Sequence, residues 1–179
     1  MKITDKVTQI GLAAIAALSL MSAAAVPAFA AKADTDLLQS YVGDWRGRGE
    51  AKLASTGENE TVLCKMSFTE SSKSKIGLVG RCSLAGSTLS MRGTVGYIED
   101  KRRYEAVMSS NTSFQGVAIG KRSGKNLSFA LNNVKSESNS AFDIAVSLKL
   151  NGDNINVRFD IVHKESGGKS VAIIPFSKR

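Results

Sequence analysis

The sequence has few residues that bind metal ions. Its 179 residues include one histidine, His163, and two cysteines, Cys64 and Cys82, with no C-x-x-C pair. Structural zinc sites need four such ligands at characteristic spacings, so the composition argues against a metal centre. In an oxidising compartment two cysteines ordinarily pair, and we therefore expect a disulfide bond.

Aromatic residues are also scarce, at 6% of the chain, although the chain is basic. The 24 Lys and Arg residues outnumber the 16 Asp and Glu residues and give a net charge of +8, but they are dispersed along the sequence. Nucleic-acid-binding surfaces cluster their basic residues, so we expect no nucleic-acid partner. A basic surface favours acidic partners, such as an acidic-headed ligand or an anionic component of the cell envelope.

The sequence lacks the motifs of common catalytic sites. It contains no G-x-S-x-G, no P-loop and no H-E-x-x-H. Two S-x-x-K matches, at residues 72–75 and 166–169, fall in predicted turns, whereas S-x-x-K enzymes hold this pair on a helix and carry further motifs. We therefore predict that the protein is not an enzyme and has no catalytic residue.

The N-terminus has the composition of a secretory signal peptide. Lys2 and Lys6 form a positive n-region, residues 10–26 are apolar and rich in alanine, and Ala28 and Ala30 form a small-x-small cleavage site. We expect residues 1–30 to be removed, leaving residues 31–179 as one periplasmic or secreted domain that meets the membrane only as a precursor. A retained anchor helix is the alternative, but the apolar run is at the short limit for a membrane span.

From Trp45 onward, apolar and polar residues alternate with the period of a β-strand. The clearest pair of strands covers residues 142–150 and 155–161, joined at Asn151-Gly152, which is a strong hairpin signal. A second hairpin, centred on Lys73, places Cys64 opposite Cys82. Residues opposite each other on antiparallel strands lie within the Cα separation that disulfides require.

Other turns predict the register of the middle strands. The expected pairs are Leu84 with Leu89, Leu78 with Val95, Gly80 with Gly93, Tyr97 with Tyr104, Val95 with Ala106, Val117 with Phe129 and Ile119 with Leu127. The turns assumed for these pairs lie at residues 85–88, 99–102 and 123–124. The register around Asn111 stays open.

About ten such strands with short connections predict an all-β, antiparallel up-and-down barrel, because a meander of this length must close or split to cover its edges. A two-sheet β-sandwich is the alternative. Residues 34–41 are the one helix candidate after the leader, with Asp34 or Thr35 as N-cap.

The apolar face of this barrel should line its interior. Outer-membrane barrels carry their apolar face outward, between two girdles of aromatic residues. No such girdles are visible here. The polar face of the first strand is densely charged, with Arg46, Arg48, Glu50 and Lys52.

The first strand, Gly43-Asp44-Trp45-Arg46-Gly47-Arg48-Gly49, resembles the opening G-x-W of lipocalins and the G-x-W-x-G-x-G strand of nitrobindin-type ten-stranded barrels. It also resembles small exported proteobacterial proteins with paired cysteines. The resemblance implies a short N-terminal helix that closes one end and an apolar ligand inside. Nitrobindins bind haem through a late histidine, but this sequence lacks the rest of that pattern, so we expect no cofactor.

A meander places its alternate connections at opposite ends of the barrel. The turns near Lys73, Asp100, Ser123 and Gly152 define what we call the near end, which the helix and Trp45 should close. The other connections, near Gly57, Gly86, Asn111, Lys135 and Gly167, define the far end and are longer. Because function concentrates in loops on rigid scaffolds, we expect any ligand to enter at the far end.

The predicted ligand-binding residues are the inward positions near that end, namely Phe142, His163, Ile144, Met66, Gly80, Gly93 and Met108. Facing glycines flanked by flexible methionines leave room for a loosely shaped apolar ligand. Lys135, Lys164 and Lys169 on the adjoining loops could meet an acidic headgroup. On the opposing interpretation the glycines relieve sheet strain, the methionines fill the core, and His163 is a strand-end residue with a satisfied hydrogen bond.

Two functions follow from this sequence. The first is an exported, non-enzymatic carrier or sensor of a small apolar or amphipathic molecule. The second is a structural or interaction protein of the cell envelope with no small-molecule ligand. A cavity joined to the far end would favour the first, and a filled core with a clustered basic face would favour the second.

Overall fold

The computed structural model describes residues 26–111, 115–135 and 140–179, with side chains from residue 31 onward except at 115. One helix precedes ten strands: α1 (Val26–Gln39), β1 (Gly43–Lys52), β2 (Asn59–Ser72), β3 (Lys75–Leu84), β4 (Ser87–Ile98), β5 (Arg103–Ser110), β6 (Gln115–Ser123), β7 (Asn126–Lys135), β8 (Ala141–Asn151), β9 (Asn154–His163) and β10 (Lys169–Lys178).

The strands form one closed antiparallel barrel. Each pairs with its neighbours in sequence, and β10 closes the cylinder against β1. This confirms the up-and-down barrel and rules out the sandwich. Alternation along each strand sends the apolar side chains inward, where the largest fully buried ones include Trp45, Tyr104 and Phe176.

Hairpins with clear turn signals have the predicted register. On β8 and β9, Phe142 lies opposite His163 and Leu150 opposite Ile155. On β2 and β3, Cys64 lies opposite Cys82. Tyr97 also lies opposite Tyr104 on β4 and β5, as expected.

The register predicted for β3 and β4 was wrong by two residues. The connection is a two-residue turn in which Ala85 and Gly86 both have positive φ, of 49° and 76°, so Leu84 pairs with Ser87. Gly80 consequently lies opposite Met91, and Gly93 lies opposite Leu78. The two glycines therefore do not face each other.

The register predicted for β6 and β7 was wrong by an odd number of residues, which exchanges the faces of β6. The turn at Gly124 is again two residues long, and Ser123 pairs with Asn126. Ala118 is therefore buried, whereas Val117 lies on the outer surface with 55% of its area exposed. Ile119, also predicted to face inward, is on the outer surface as well.

Helix α1 closes the near end. Its Gln39 amide donates hydrogen bonds to the carbonyl oxygens of Ser72 and Lys73, at 2.7 and 3.0 Å. The buried Trp45 indole donates to the Tyr41 carbonyl at 2.9 Å. The near end of the barrel is thus held shut by directional contacts.

The N-cap predicted at Asp34 or Thr35 was wrong, because α1 begins at Val26 and both residues lie within it. Asp34 instead binds the barrel wall. Its carboxylate accepts a hydrogen bond from the Tyr104 hydroxyl at 2.9 Å and lies 3.1 Å from Arg122 Nε. Burial, followed by this hydrogen bond, raises the pKa of Tyr104, so the hydroxyl stays protonated and donates.

The predicted leader stays a prediction, because residues 1–25 lie outside the described part of the chain. In the part that the structure describes, no helix combines the length and the apolar character needed to cross a membrane.

Candidate functional site

A cavity of about 70 Å³ lies in the middle of the barrel and is lined entirely by apolar side chains. Its walls are formed by Met66, Phe68, Leu78, Met91, Val95, Ala106, Met108, Ala118, Phe129, Leu131, Val146, Leu148, Val157 and Phe159. The predicted residues Met66 and Met108 are among them. Within this lining no group can donate or accept a proton, so the cavity can hold an apolar molecule but offers no acid, base or nucleophile.

Three methionines cover the inner surface of one side of the cavity. Met66, Met91 and Met108 come from β2, β4 and β5, and Gly80 lies beneath two of them. A Cβ atom built on Gly80 would lie 2.9 Å from Met91 Cγ and 3.6 Å from Met66 Cγ. The side chains of Met91 and Met66 therefore occupy the space that the glycine leaves.

Gly93 has a different role from Gly80. A Cβ atom at this position would lie 2.3 Å from the backbone oxygen of Val107 on β5. Two strands approach too closely here for any side chain, which is a common reason for glycine inside a sheet. The same holds in the first-strand motif, where a Cβ on Gly49 would collide with the backbone oxygen of Ile173 on β10.

Several inward side chains toward the far end are only partly buried, namely those of Leu89, Met91, Ile144, Phe142, Ile161 and His163. Others at that end, such as Val62 and Val134, are buried. Ile144 and Phe142 lie on β8 between the cavity and the far-end connections. The structure thus places these predicted residues on the solvent side of the cavity rather than in its lining.

His163 is fixed at the far-end rim. Its ring lies edge-on to Phe142 with centroids 5.0 Å apart, and its Nε2 lies 3.3 Å from Ser170 Oγ. Ser170 Oγ also accepts a hydrogen bond from the Ala54 amide at 2.9 Å. His163 therefore helps to join β9, β10 and the connection after β1.

The residues present do not fit haem. A ligand to iron needs a free imidazole nitrogen directed into a large cavity, whereas His163 Nε2 is engaged at the rim and the cavity measures about 70 Å³. Among the described residues, no three His, Cys, Asp or Glu side chains lie together as metal ligands would.

Cys64 and Cys82 form a disulfide bond, with Cα atoms 4.1 Å apart. It joins β2 to β3 on the far-end side of Gly80, at directly opposite positions. The bond therefore ties together two strands of the wall that carries Gly80 and Met66.

Besides the central cavity, a cleft lies in the wall between β6 and β7, and the sequence did not predict it. The cleft measures about 320 Å³ and is lined by Gly116, Val117, Leu131, Asn132, Asn133, Val134 and Lys135. Leu131 also lines the central cavity. The spacing of apolar residues on β7 changes from two to three between Leu131 and Val134, and this was the sequence signal for the irregularity.

Comparison with solved structures gives the fold but not the family. Rv2717c from M. tuberculosis aligns with a TM-score of 0.63 and 14% identity, over 82% of this chain and 97% of its own. The S-type phycobiliprotein lyase CPES from Guillardia theta aligns with a TM-score of 0.60 and 9% identity, over 87% and 98%. EF1p2_mFAP2b bound to DFHBI aligns with a TM-score of 0.50 and 8% identity, over 82% and 99%.

Comparison of the sequence with family models and with curated proteins finds no match. The nitrobindin-type resemblance of the first strand therefore has no support beyond its motif. What the solved structures support is the fold alone, which in this chain is a closed, ten-stranded β-barrel.

Proposed function

We propose that the barrel is a non-enzymatic binding protein for a small apolar or amphipathic molecule, which it holds in its interior. The observation that carries this proposal is the central cavity, whose lining contains apolar side chains alone. Apolar surface of this kind gains free energy when a ligand replaces water or empty space against it. The near end is closed by α1, so such a ligand would be enclosed on that side.

The cavity must enlarge to hold most ligands. Its present volume is about 70 Å³. Typical ligand pockets are about 300–1,000 Å³. Met66 and Met91 have unbranched side chains that change rotamer readily, and their movement away from Gly80 would extend the cavity.

The same fold has precedents for ligand binding. CPES is a phycobiliprotein lyase, and EF1p2_mFAP2b is a structure with bound DFHBI. These identities are too low to transfer a ligand, so they support only that a barrel of this fold can bind a small molecule. We propose Met66 and Met108 as direct contacts, with Gly80 and Gly93 in the wall behind them, and Ile144, Phe142 and His163 on the far-end side.

We further propose that the protein works outside the cytoplasm, in the periplasm or the extracellular space. The signal-peptide pattern of residues 1–30 and the disulfide between Cys64 and Cys82 support this location. Intact mass of the protein from the exported fraction tests it. We expect a chain that begins at Ala31, and an exported species that retains residues 10–26 would contradict the proposal.

Filling the cavity tests the binding function. In Gly80→Leu the new side chain displaces the flexible end of Met91 and occupies ligand space, so uptake of a dansyl-labelled undecanoic acid should be lost while far-UV circular dichroism stays unchanged. Gly77→Leu is the matched control, because Gly77 lies on the outer face of the same strand and its nearest neighbour is the Thr69 side chain. Met91→Ala, which widens the cavity, should strengthen binding of bulkier probes.

The alternative, an envelope-interaction protein without a small ligand, is supported by the outer wall. Large apolar side chains are exposed there, at Leu63, Val79, Val107, Val117, Ile119 and Ile173. If wild-type protein binds no apolar probe, and native mass spectrometry of protein from its own host shows no added mass, the binding proposal fails and this alternative takes its place.

A further inference from the structure

In the described residues, β6 and β7 pair with each other along only part of their length. These strands pair only from Ile119 to Ser123 and from Asn126 to Ala130. Both strands continue toward the far end, where β6 pairs with β5 as far as Gln115 and β7 pairs with β8 as far as Lys135. In the described residues the two strands therefore separate from each other while each keeps its other neighbour.

A β-bulge on β7 holds this separation open. The register of β7 against β8 shifts between Leu131 and Val134, and Asn133 within the bulge has a φ of +56°. The Asn133 amide donates a hydrogen bond to Asp143 Oδ1 at 3.0 Å, and Lys164 Nζ lies 2.5 Å from Asp143 Oδ2. Specific side chains thus support the bulge, as is usual for bulges that serve a purpose.

Leu131 borders both the cleft and the interior. The cleft measures about 320 Å³, and only 4% of the area of Leu131 is exposed. The two spaces are therefore adjacent at this side chain. The cleft alone already reaches the lower end of the usual range for ligand pockets, which is about 300–1,000 Å³.

The cleft is lined by both polar and apolar residues. Lys135, Asn132 and Asn133 supply one positive charge and two amide groups, whereas Val117, Leu131 and Val134 are apolar. Lys164, by contrast, already forms an ion pair with Asp143, so its ammonium group is not free to bind an anionic head. The arrangement suits a molecule with an anionic head outside and a hydrocarbon tail directed past Leu131.

We propose that the cleft between β6 and β7 is the entrance for a single-chain amphiphile with a carboxylate or phosphate head. Lys135 binds the head, and the tail reaches the central cavity past Leu131. This inference rests on the proposed binding function and replaces the far-end mouth with a lateral entrance. The head chemistry is shared by free fatty acids and by phosphate-headed lipids, so dodecanoate and dodecyl phosphate are separate arms of the test.

Charge reversal tests the headgroup site. Lys135→Glu and Lys169→Glu change the net charge equally, but only Lys135 lines the cleft. Because an exposed ion pair contributes only modestly to binding, we expect Lys135→Glu to weaken binding of the acid about fivefold at low salt. Lys169→Glu should change it less than about twofold, since screening weakens distant charges. Uncharged dodecanol should bind both variants and wild type alike.

Obstruction of the cleft tests the path. Val117→Trp places a large ring at the cleft, and Val107→Trp is its matched control, because Val107 lies directly opposite on β5 and is exposed to 58% against 55% for Val117. Stopped-flow fluorescence with the dansyl-labelled acid should show slower association for Val117→Trp alone. Val117 and Lys135 are both exposed, so neither substitution should prevent folding.

The outcomes separate this inference from the proposed function. Uptake by wild type, with weaker binding after Lys135→Glu and slower association after Val117→Trp, supports the lateral entrance. Uptake that is instead weakened by Lys169→Glu and unaffected by Val117→Trp overturns it and leaves the binding function intact. Failure of wild type to bind dodecanoate, dodecyl phosphate and dodecanol overturns both.

Discussion

Two inward glycines, Gly80 and Gly93, should respond very differently to the same substitution. At Gly80 the nearest atom to a new methyl group is the Cγ of Met91, 2.9 Å away, on a side chain that can move. At Gly93 the nearest atom is the backbone oxygen of Val107, 2.3 Å away, which is held by strand pairing with β6. Alanine at Gly93 therefore forces β4 and β5 apart.

The expected magnitudes follow from these contacts. Glycine inside a strand costs about 0.5–1 kcal/mol relative to alanine. In Gly80→Ala this gain should offset the cost of moving the Met91 side chain. The free energy of unfolding should therefore stay within about 1 kcal/mol of wild type. Overpacking a rigid site costs about 1–3 kcal/mol, and an immobile backbone atom puts Gly93→Ala at the upper end, about 3 kcal/mol. In a domain of this size that corresponds to a fall in Tm of about 6–12 °C.

Urea unfolding followed by far-UV circular dichroism measures both variants against wild type. We expect equal m-values, a nearly unchanged midpoint for Gly80→Ala and a clearly lower one for Gly93→Ala. The reasoning is refuted if Gly93→Ala is as stable as wild type, or if the two variants lose the same free energy of unfolding.

Three further predictions concern the bonds that hold the barrel together. Replacing Cys64 and Cys82 together by serine should cost about 3 kcal/mol in the chain-entropy model, measured as a lower urea midpoint, and an unchanged midpoint would argue against it. Tyr104→Phe removes a hydrogen bond to α1 and should lower the free energy of unfolding by about 1 kcal/mol, whereas no loss would mean that the bond contributes nothing. The hydrogen bond from Lys164, and then that from the Asn133 amide, lower the pKa of Asp143. The Asp143 carboxylate that supports the bulge is therefore fully charged above the ordinary Asp pKa. It loses this charge only as the pH falls through the lowered pKa of the folded protein. An NMR titration of the Asn133 amide should therefore have its midpoint below about 3.9, and a midpoint above that value would contradict the ion pair.

Much of the fold could be predicted because the turns carry strong local signals. Asn151-Gly152 fixes β8 against β9, and the predicted opposition of Cys64 and Cys82 holds in the disulfide. The barrel itself followed from the number of strands and the short connections between them. These are local properties of the chain, and a single sequence reports them directly.

The errors arose where a turn could be assigned two lengths. Around Gly86 the prediction used four turn residues and the protein uses two, which places Met91 rather than Gly93 opposite Gly80. Around Gly124 an odd shift placed Val117 and Ile119 outside and Ala118 inside. Apolar residues occur on both faces of β6, so alternation alone could not correct the register there.

The candidate site was harder to predict, because it depends on contacts between distant strands. The sequence indicated Met66 and Met108 as inward residues, but not that their neighbours would fill the space over Gly80. Nor could it show that Gly93 is needed for the close approach of β4 and β5. Backbone separation is a property of the closed barrel and has no signature in one strand.

The two ends of the barrel are stabilised by different kinds of contact, and this difference determines which end can open for a ligand. At the near end, Gln39, Trp45 and Asp34 make directional hydrogen bonds between α1, the turns and the wall. Toward the far end, β6 and β7 lose their pairing beyond Ile119 and Ala130. Local opening costs least where backbone hydrogen bonds and buried contacts are fewest. A ligand that enters the barrel should therefore displace Leu131 and the unpaired parts of β6 and β7. The end that α1 closes should meanwhile keep the register of the whole barrel.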